Sequence, residues 1–482
     1  MLLGLDLGTT NVKALLATPD GRVLGRGAAP VPLYHLPDGG VEQDIEEIWS
    51  AVLQAIAAAL AGHAGAAVRA VGVSSQGGAL QIADRVGRPW GRVIGWLDRR
   101  GQSYDAALTA ELGRDWFVRH VGHGCSALTI GQILRLRAAG GLPPAFRVGF
   151  VGDAVVARLC GRPAHDATSL SLAMLYNPSL RSADPELLSR LGIGAGQLPD
   201  LLPARVAAGA LADAVARRTG LPPGIPVSPA IHDQYAAALG AQALSAGDVM
   251  VGTGTAWVLL AASERLFSPA ISTAFVCTHL LDGLYGQILS LANGGSAVCW
   301  ALALLGLDDL DNASFDDLTA TVPPGSDGLR FWPFLAAVGE GLPAETAGRL
   351  AGLRLAHTPG HLLRAVIEGL TCELARYVRL AAEAGLPMRR LVLCGRAARS
   401  RVTPQIIADM TGLEVMCVAE GDTSALGAVI LPETLREPGT SLKQAAEAMK
   451  TARLRIQPGP HRAAYAALLE EYLASLPPRS CP

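Results

Sequence analysis

Leu3-Gly4-Leu5-Asp6-Leu7-Gly8-Thr9-Thr10-Asn11-Val12-Lys13 places a carboxylate and two hydroxyls around one glycine, between two apolar stretches. Residues 2–7 and 12–17 both read as strands. The polar insert is short, so the spacing predicts a hairpin. Gly8 lacks a Cβ, which lets a ligand approach the backbone. Backbone N–H groups and the hydroxyls of Thr9 and Thr10 then converge as a phosphate cradle. Asp6 beside it suits a hydrated Mg²⁺, which takes oxygen ligands and keeps several waters. A metal–nucleoside triphosphate is the ligand this pattern predicts, against the plainer reading of a surface hairpin with a polar tip.

The pattern returns. Asp248-Val249-Met250-Val251 leads into Gly252-Thr253-Gly254-Thr255, and Ala256-Trp257-Val258-Leu259-Leu260 leaves it. One copy near the start of each half predicts two related domains that share a cleft. No Gly-x-x-x-x-Gly-Lys-Ser/Thr string occurs, which excludes the P-loop solution. No Gly-x-Gly-x-x-Gly follows a strand, which weighs against a dinucleotide site.

The chain has 482 residues, a formal net charge of −2, 50% apolar and 17% charged residues. That length predicts more than one domain, and that balance gives no footprint for nucleic acid or an anionic membrane. The cysteines at 125, 160, 277, 299, 372, 394, 417 and 481 form no Cys-x-x-Cys pair and no zinc spacing. They read as reduced, mostly buried small hydrophobes in a cytoplasmic protein. The N-terminus begins directly with strand residues and carries Asp6, unlike a signal peptide. The most apolar helical stretch, 51–61, is too short to span a bilayer.

Along the chain, residues 22–26 read as a third strand after the Thr18-Pro19-Asp20-Gly21 turn. A helix is predicted over 44–61, strands over 68–74 and 80–83, and a helical stretch over 104–161 broken at 122–124 and at Pro143-Pro144. Residues 227–231 read as a strand that delivers Asp233 to the head of an Ala-rich helix. The domain boundary falls near 244–247, giving an N-terminal sugar- and phosphate-binding domain over 1–243 and a C-terminal nucleotide-binding domain over 244–482. In the second half, helices are predicted over 359–384, 422–431 and 461–476, with a strand over 390–394.

Two Gly/Thr phosphate hairpins on a duplicated scaffold resemble the superfamily of actin, hexokinase and the heat-shock ATPases. More narrowly, the chain resembles the FGGY family of carbohydrate kinases, near its xylulokinase branch. The resemblance is carried in order by Glu42-Gln43-Asp44 with Trp49, Val73-Ser74-Ser75-Gln76-Gly77-Gly78, Trp96-Leu97-Asp98-Arg99-Arg100 and His232-Asp233-Gln234. In the second half it is carried by Gly252-Thr253-Gly254-Thr255, Asn293-Gly294-Gly295, Arg364-Ala365-Val366-Ile367-Glu368-Gly369 and a degenerate Gly395-Arg396-Ala397-Ala398. It implies an α/β fold of two ribonuclease-H-like, actin-like ATPase domains around a central cleft, and ATP-dependent phosphorylation of a sugar hydroxyl with Mg²⁺. D-xylulose is the best single substrate; other ketoses, glycerol- or erythritol-type polyols, or a catalytically impaired sensor are the alternatives. A nucleotide-gated switch of the chaperone kind is a further class, and the His232-Asp233-Gln234 and Gln76 segments argue against it. A homodimer is the assembly that family habit suggests.

Phosphoryl transfer to a hydroxyl needs charge neutralisation, in-line positioning and a base. The resemblance makes Asp233 that base; a helix cap is the plainer role for it. Asp6 and Asp233 are the metal-side carboxylates, and Gln76, Gly77, Gly78, Asp233 and Gln234 are the sugar-side residues. Gly8, Thr9, Thr10, Lys13, Thr253, Gly254, Thr255, Gly295, Gly395, Arg396 and Ala397 are the ATP-side residues. Lys13 stands either near the γ-phosphate or in solvent. Trp96, Asp98 and Arg100 read as a loop organised by an Asp–Arg ion pair. Xylulokinases show Met-His where this chain has Gly77-Gly78, and glycerol kinases show Arg-Glu, so the sugar pocket is expected to gain room. Under adenine the family places Gly-Gly-Gly-Ala; here Arg396 either clashes with the base or stacks on it.

Overall fold

Residues 1–291, 293–336, 339–449 and 451–478 are described by the computed structural model; Cys481 lies outside them. The opening strand, Leu2–Leu7, is wholly buried, because its side chains face helices on both sides of the sheet. It pairs antiparallel with Asn11–Ala17, Leu7 opposite Val12, so residues 8–10 form the hairpin tip. The third strand, Val23–Pro30, runs longer than the sequence pattern indicated. Its far end continues beside Asn11, with Pro30 as Asn11's partner in the ladder. On the other side of Leu2–Leu7 lie the parallel strands Val71–Ser75 and then Pro226–His232.

The second half repeats this order. Asp248–Thr253 pairs antiparallel with Trp257–Ser263, which pairs with Tyr285–Ser290. On its other side come the parallel strands Arg390–Gly395 and Glu414–Val418. In each half the strand ending in the glycine turn is central and two parallel strands follow to one side. The repeat seen in the sequence is therefore a repeat of topology.

Two helices bind the halves together. Asp233–Gly240 leaves the first sheet, and Thr423–Arg436 returns from the second half and crosses it. The crossing is close: a Cβ on Gly240 would stand 2.1 Å from the Thr423 carbonyl oxygen. Thr423–Arg436 also lies on the first sheet, where Gly4 and Gly72 face Val429 and Ala428. The helix reaches five residues past the expected stop at 431 and carries Pro432 within it, the ring lying against Gly72.

A smaller five-stranded sheet flanks the first lobe, in the order Tyr34–His35, Val41–Gln43, Val93–Ile94, Leu80–Ala83 and Arg147–Phe150. Its last strand falls inside the stretch read as helical over 104–161. Arg-Val-Gly-Phe alternates in burial and pairs with Leu80–Ala83, so the ladder overrides the helical reading of its surroundings. The remainder of that stretch is helical, over Gln102–Leu112, Arg114–Val121, Thr129–Ala138 and Val151–Cys160.

Candidate active site

Both hairpin tips leave consecutive backbone donors open. Gly8 N donates to Asn11 O at 3.1 Å, which closes the first turn. Among the described residues the N–H groups of Thr9 and Thr10, and of Gly254 and Thr255, donate to nothing. Paired open amides at a turn form an anion-binding concavity. The Thr9 hydroxyl donates to Gln76 Oε1 and accepts from Trp96 Nε1, both at 3.0 Å. The Gln76 amide nitrogen donates to Gln43 Oε1 at 2.8 Å, and Gln43 donates to Thr9 O at 2.8 Å. Gln76, buried and engaged at both ends, thus holds the first tip in place.

Asp6 is buried one strand position from the tip. Its two oxygens accept from the hydroxyls of Ser74 and Ser424, each at 2.6 Å. Burial raises its pKa, and the charge of Asp233 raises it further. Asp233 opens its helix, and burial pushes its pKa up to about 6 against bonds from Gln234 that favour the charge. The side chain retains 26% exposure, so it still faces the cleft. His232, not Asp233, is the helix cap: its Nδ1 accepts from Gln234 N at 3.3 Å. Burial brings the His232 pKa down to about 3, so the ring is neutral. With Nδ1 accepting, Nε2 carries the proton and faces Asp233 Oδ1 at 3.3 Å.

His232 also corrects the expected sugar pocket. A Cβ on Gly77 would lie 2.6 Å from two atoms of the His232 ring and 2.7 Å from Leu172 Cβ. Gly78 has φ +69°, and Leu128 Cδ1 and the Leu172 carbonyl close over it. No room is gained: the imidazole and two leucines fill what larger residues at 77 and 78 would occupy. Asp98 and Arg100 behave as the ion pair read from the sequence, at 2.6 Å, with Arg100 also on Glu42 at 2.7 Å. Lys13 is partly exposed but not free. Its Nζ holds Asp422 Oδ1 at 2.7 Å, and although burial works against its charge, Asp422 overrides it and raises the pKa.

The second tip borders a cavity of about 610 Å³. Thr253, Gly254, Thr255, Gly295, Arg396 and Ala397 all line it, and Val298, Leu302, Phe315 and Ile367 make an apolar wall. Gly295 N donates to Gly254 O, so this amide ties the helix Gly295–Leu304 to the tip. The Thr253 hydroxyl donates to Cys394 O at 2.7 Å and accepts from Ala397 N at 3.0 Å. It ties the two glycine loops together. Gly395, at φ +90°, has its missing Cβ 2.9 Å from that same hydroxyl, so any side chain there is strained and displaces the loop. Arg396 is exposed at the rim and makes no ion pair among the described residues. Cys299 is exposed and lines the cavity; Cys277, Cys372, Cys394 and Cys417 are buried, in line with the reading that most of the cysteines are.

A model of the FGGY family of carbohydrate kinases matches its N-terminal domain to residues 1–240 and its C-terminal domain to residues 247–432. The chain belongs to the FGGY family of carbohydrate kinases. This FGGY kinase therefore has two actin-like ATPase domains and is an ATP-dependent sugar phosphotransferase. It is 30% identical over 443 residues to the glycerol kinase of Gloeobacter violaceus, across 89% of this chain and 86% of that protein. It is 26% identical over 447 residues to the gluconokinase of Bacillus subtilis, across 89% and 86%. The crystal structure of xylulose kinase from Rhodospirillum rubrum superposes with a TM-score of 0.88 at 27% identity, covering 98% of this chain and 97% of that one. Three relatives thus carry three substrates, and the family sets the reaction rather than the sugar.

Four residues of the FGGY kinase site escaped the sequence reading. Ser74 lay within a quoted segment and is itself the strand partner of Asp6. Ser424 and Asp422 come from the opposite end of the chain and gave no local signal. The contact of His232 with Gly77 had one: a bulky residue beside Asp233 and an absent side chain at position 77.

Proposed function

We propose that the chain phosphorylates a small ketose, D-xylulose first among them, to its terminal phosphate ester, with Asp233 as the base. The single observation that supports this is the state of Asp233: a carboxylate at the cleft with a pKa near 6, held between a neutral imidazole and Asp6. A base with that pKa is ionised at neutral pH and still basic enough to take a hydroxyl proton. Asp233 receives that proton, Gln234 bonds to the same carboxylate and borders Gly252 across the cleft, and the open amides of both tips hold phosphate oxygens. The walls around Gly77 and Gly78 favour a slim, hydroxylated substrate over a branched one.

Asp6 and Asp233 repel each other while partly desolvated, and a divalent cation between them relieves that repulsion. Among the described residues no cluster of three or more His, Cys, Asp or Glu could hold a metal. Mg²⁺ fits this donor set, since it keeps several waters and takes its other ligands from phosphate. When bound it would neutralise charge on the transferring group. Arg396, unpaired at the rim, fits the reading in which a guanidinium stacks on the base. No helix of the described residues is long and apolar enough to cross a membrane. A homodimer in a reducing cytoplasm completes this reading.

The test is ADP release over a panel of ketoses, gluconate, glycerol and erythritol. Turnover that is greatest with D-xylulose and vanishes in Asp233→Ala supports the proposal. Higher kcat/KM for gluconate or a polyol replaces the substrate. Sugar-independent hydrolysis, or binding without turnover, removes the kinase reading.

A further inference from the structure

The face of the first sheet that meets the helix Thr423–Arg436 changes character along its strands. Gly4 is the ladder partner of Gly72, and Asp6 is the partner of Ser74. Residues two apart on a strand share a face, so all four lie on the side this helix covers. A Cβ on Gly4 would stand 2.7 Å from Ala425 O, and one on Gly72 would stand 2.6 Å from Pro432 Cδ. The glycine pair therefore lets the helix settle directly on the strands. One step along, its first turn meets polar partners instead.

Three adjacent strand positions receive that turn. Lys13, the antiparallel partner of Asp6, holds Asp422 at 2.7 Å. Ser424 Oγ donates to Asp6 Oδ2, and Ser74 Oγ donates to Asp6 Oδ1, both at 2.6 Å. A helical serine ordinarily turns its hydroxyl to water or to the preceding turn. Ser424, half-buried, gives its one proton to a buried carboxylate from the opposite end of the chain. Each Asp6 oxygen is thus fixed by one hydroxyl and keeps a further lone pair. Rotating the carboxylate would break a charge-assisted bond.

We infer that Ser424 is a positioning residue, whose hydroxyl sets the rotation of Asp6 toward a divalent cation. The C-terminal half thereby orients a carboxylate of the N-terminal half. Groups that orient a metal-binding side chain typically change metal affinity by about 10–100-fold when removed. The inference rests on the reading of Asp6 as a metal-side carboxylate, and the experiment separates the two.

Mn²⁺·ADP is the probe, its binding to the full chain read as enhanced water-proton relaxation. Metal-free ADP, titrated by calorimetry in the presence of a chelator, is the control. Ser424→Ala should bind Mn²⁺·ADP about tenfold more weakly than wild type, and metal-free ADP equally well. Ser424→Thr keeps the hydroxyl and should bind both as wild type does. A merely structural role would weaken both ligands together in Ser424→Ala, and that result overturns the inference. Equal binding of Mn²⁺·ADP to Ser424→Ala and wild type overturns it too. Asp6→Asn distinguishes the two levels. If it binds Mn²⁺·ADP as tightly as wild type, the reading of Asp6 falls and the inference with it. If it binds weakly while Ser424→Ala binds normally, the inference alone falls.

Discussion

Asp233 owes its pKa near 6 to burial, so the sign of the pH dependence follows. The base works ionised; kcat/KM should be flat above about pH 7 and fall about tenfold per unit well below pH 6. A pH–rate profile checks this, and a flat acid limb would contradict it. Asp233→Asn keeps the shape but removes the base, and kcat should fall by about 10²–10⁴, the usual worth of a positioned base. Gly77→Ala drives a methyl against the His232 ring and Leu172 Cβ. Denaturant unfolding should show a loss of about 1–3 kcal/mol, the cost of overpacking. Adding His232→Gly should return part of it, since the collision with the ring is then gone while Leu172 Cβ stays in place. At this scale Asp233 was legible because a strand followed by an Asp-headed helix marks it locally. His232 against Gly77 was not, since that contact joins two distant segments.

The hairpin tips and the cavity bordering the second of them belong to the scale of elements. Both hairpins were readable because alternating apolar strands around Gly/Thr turns leave few other structures. The strand Arg147–Phe150 was not, because only its ladder with Leu80–Ala83 stabilises it as a strand. The helix Gly295–Leu304 brings Cys299 to the wall of the cavity at the second tip, where the proposed reading seats the nucleotide. Maleimide labelling of Cys299, followed by mass spectrometry, should therefore slow markedly when ATP is present and stay unchanged with sugar alone. Labelling at one rate with and without ATP would place the nucleotide elsewhere. The Gly395 turn carries a further expectation. Gly395→Ala puts a Cβ 2.9 Å from the Thr253 hydroxyl in a left-handed conformation. KM for ATP should rise, because the loop that carries Ala397 must move.

Across the whole molecule, the two lobes are linked by charge as well as by packing. Lys13 holds Asp422, and Arg26 holds Glu420 at 2.6 Å and Asp422 at 3.1 Å. These pairs are partly exposed, so each contributes about 0–1 kcal/mol after solvent screening. Glu420→Ala/Asp422→Ala should thus lower the unfolding free energy only slightly and make it less sensitive to salt. Sugar and nucleotide together should compact the molecule by closing the cleft, as small-angle scattering would show; an unchanged radius of gyration would exclude this closure. The duplicated order of strands was foreseeable from the two repeated segments. The helix Thr423–Arg436 on the sheet of the opposite half was not, because its own residues say nothing about which surface it covers. That placement makes the chain poorly divisible. Severed in the 241–246 connection, an N-terminal fragment would show bare apolar sheet at Gly4 and Gly72, and its counterpart would carry an orphaned helix. Fragments produced apart should aggregate, while fragments produced together should reassemble into an active pair.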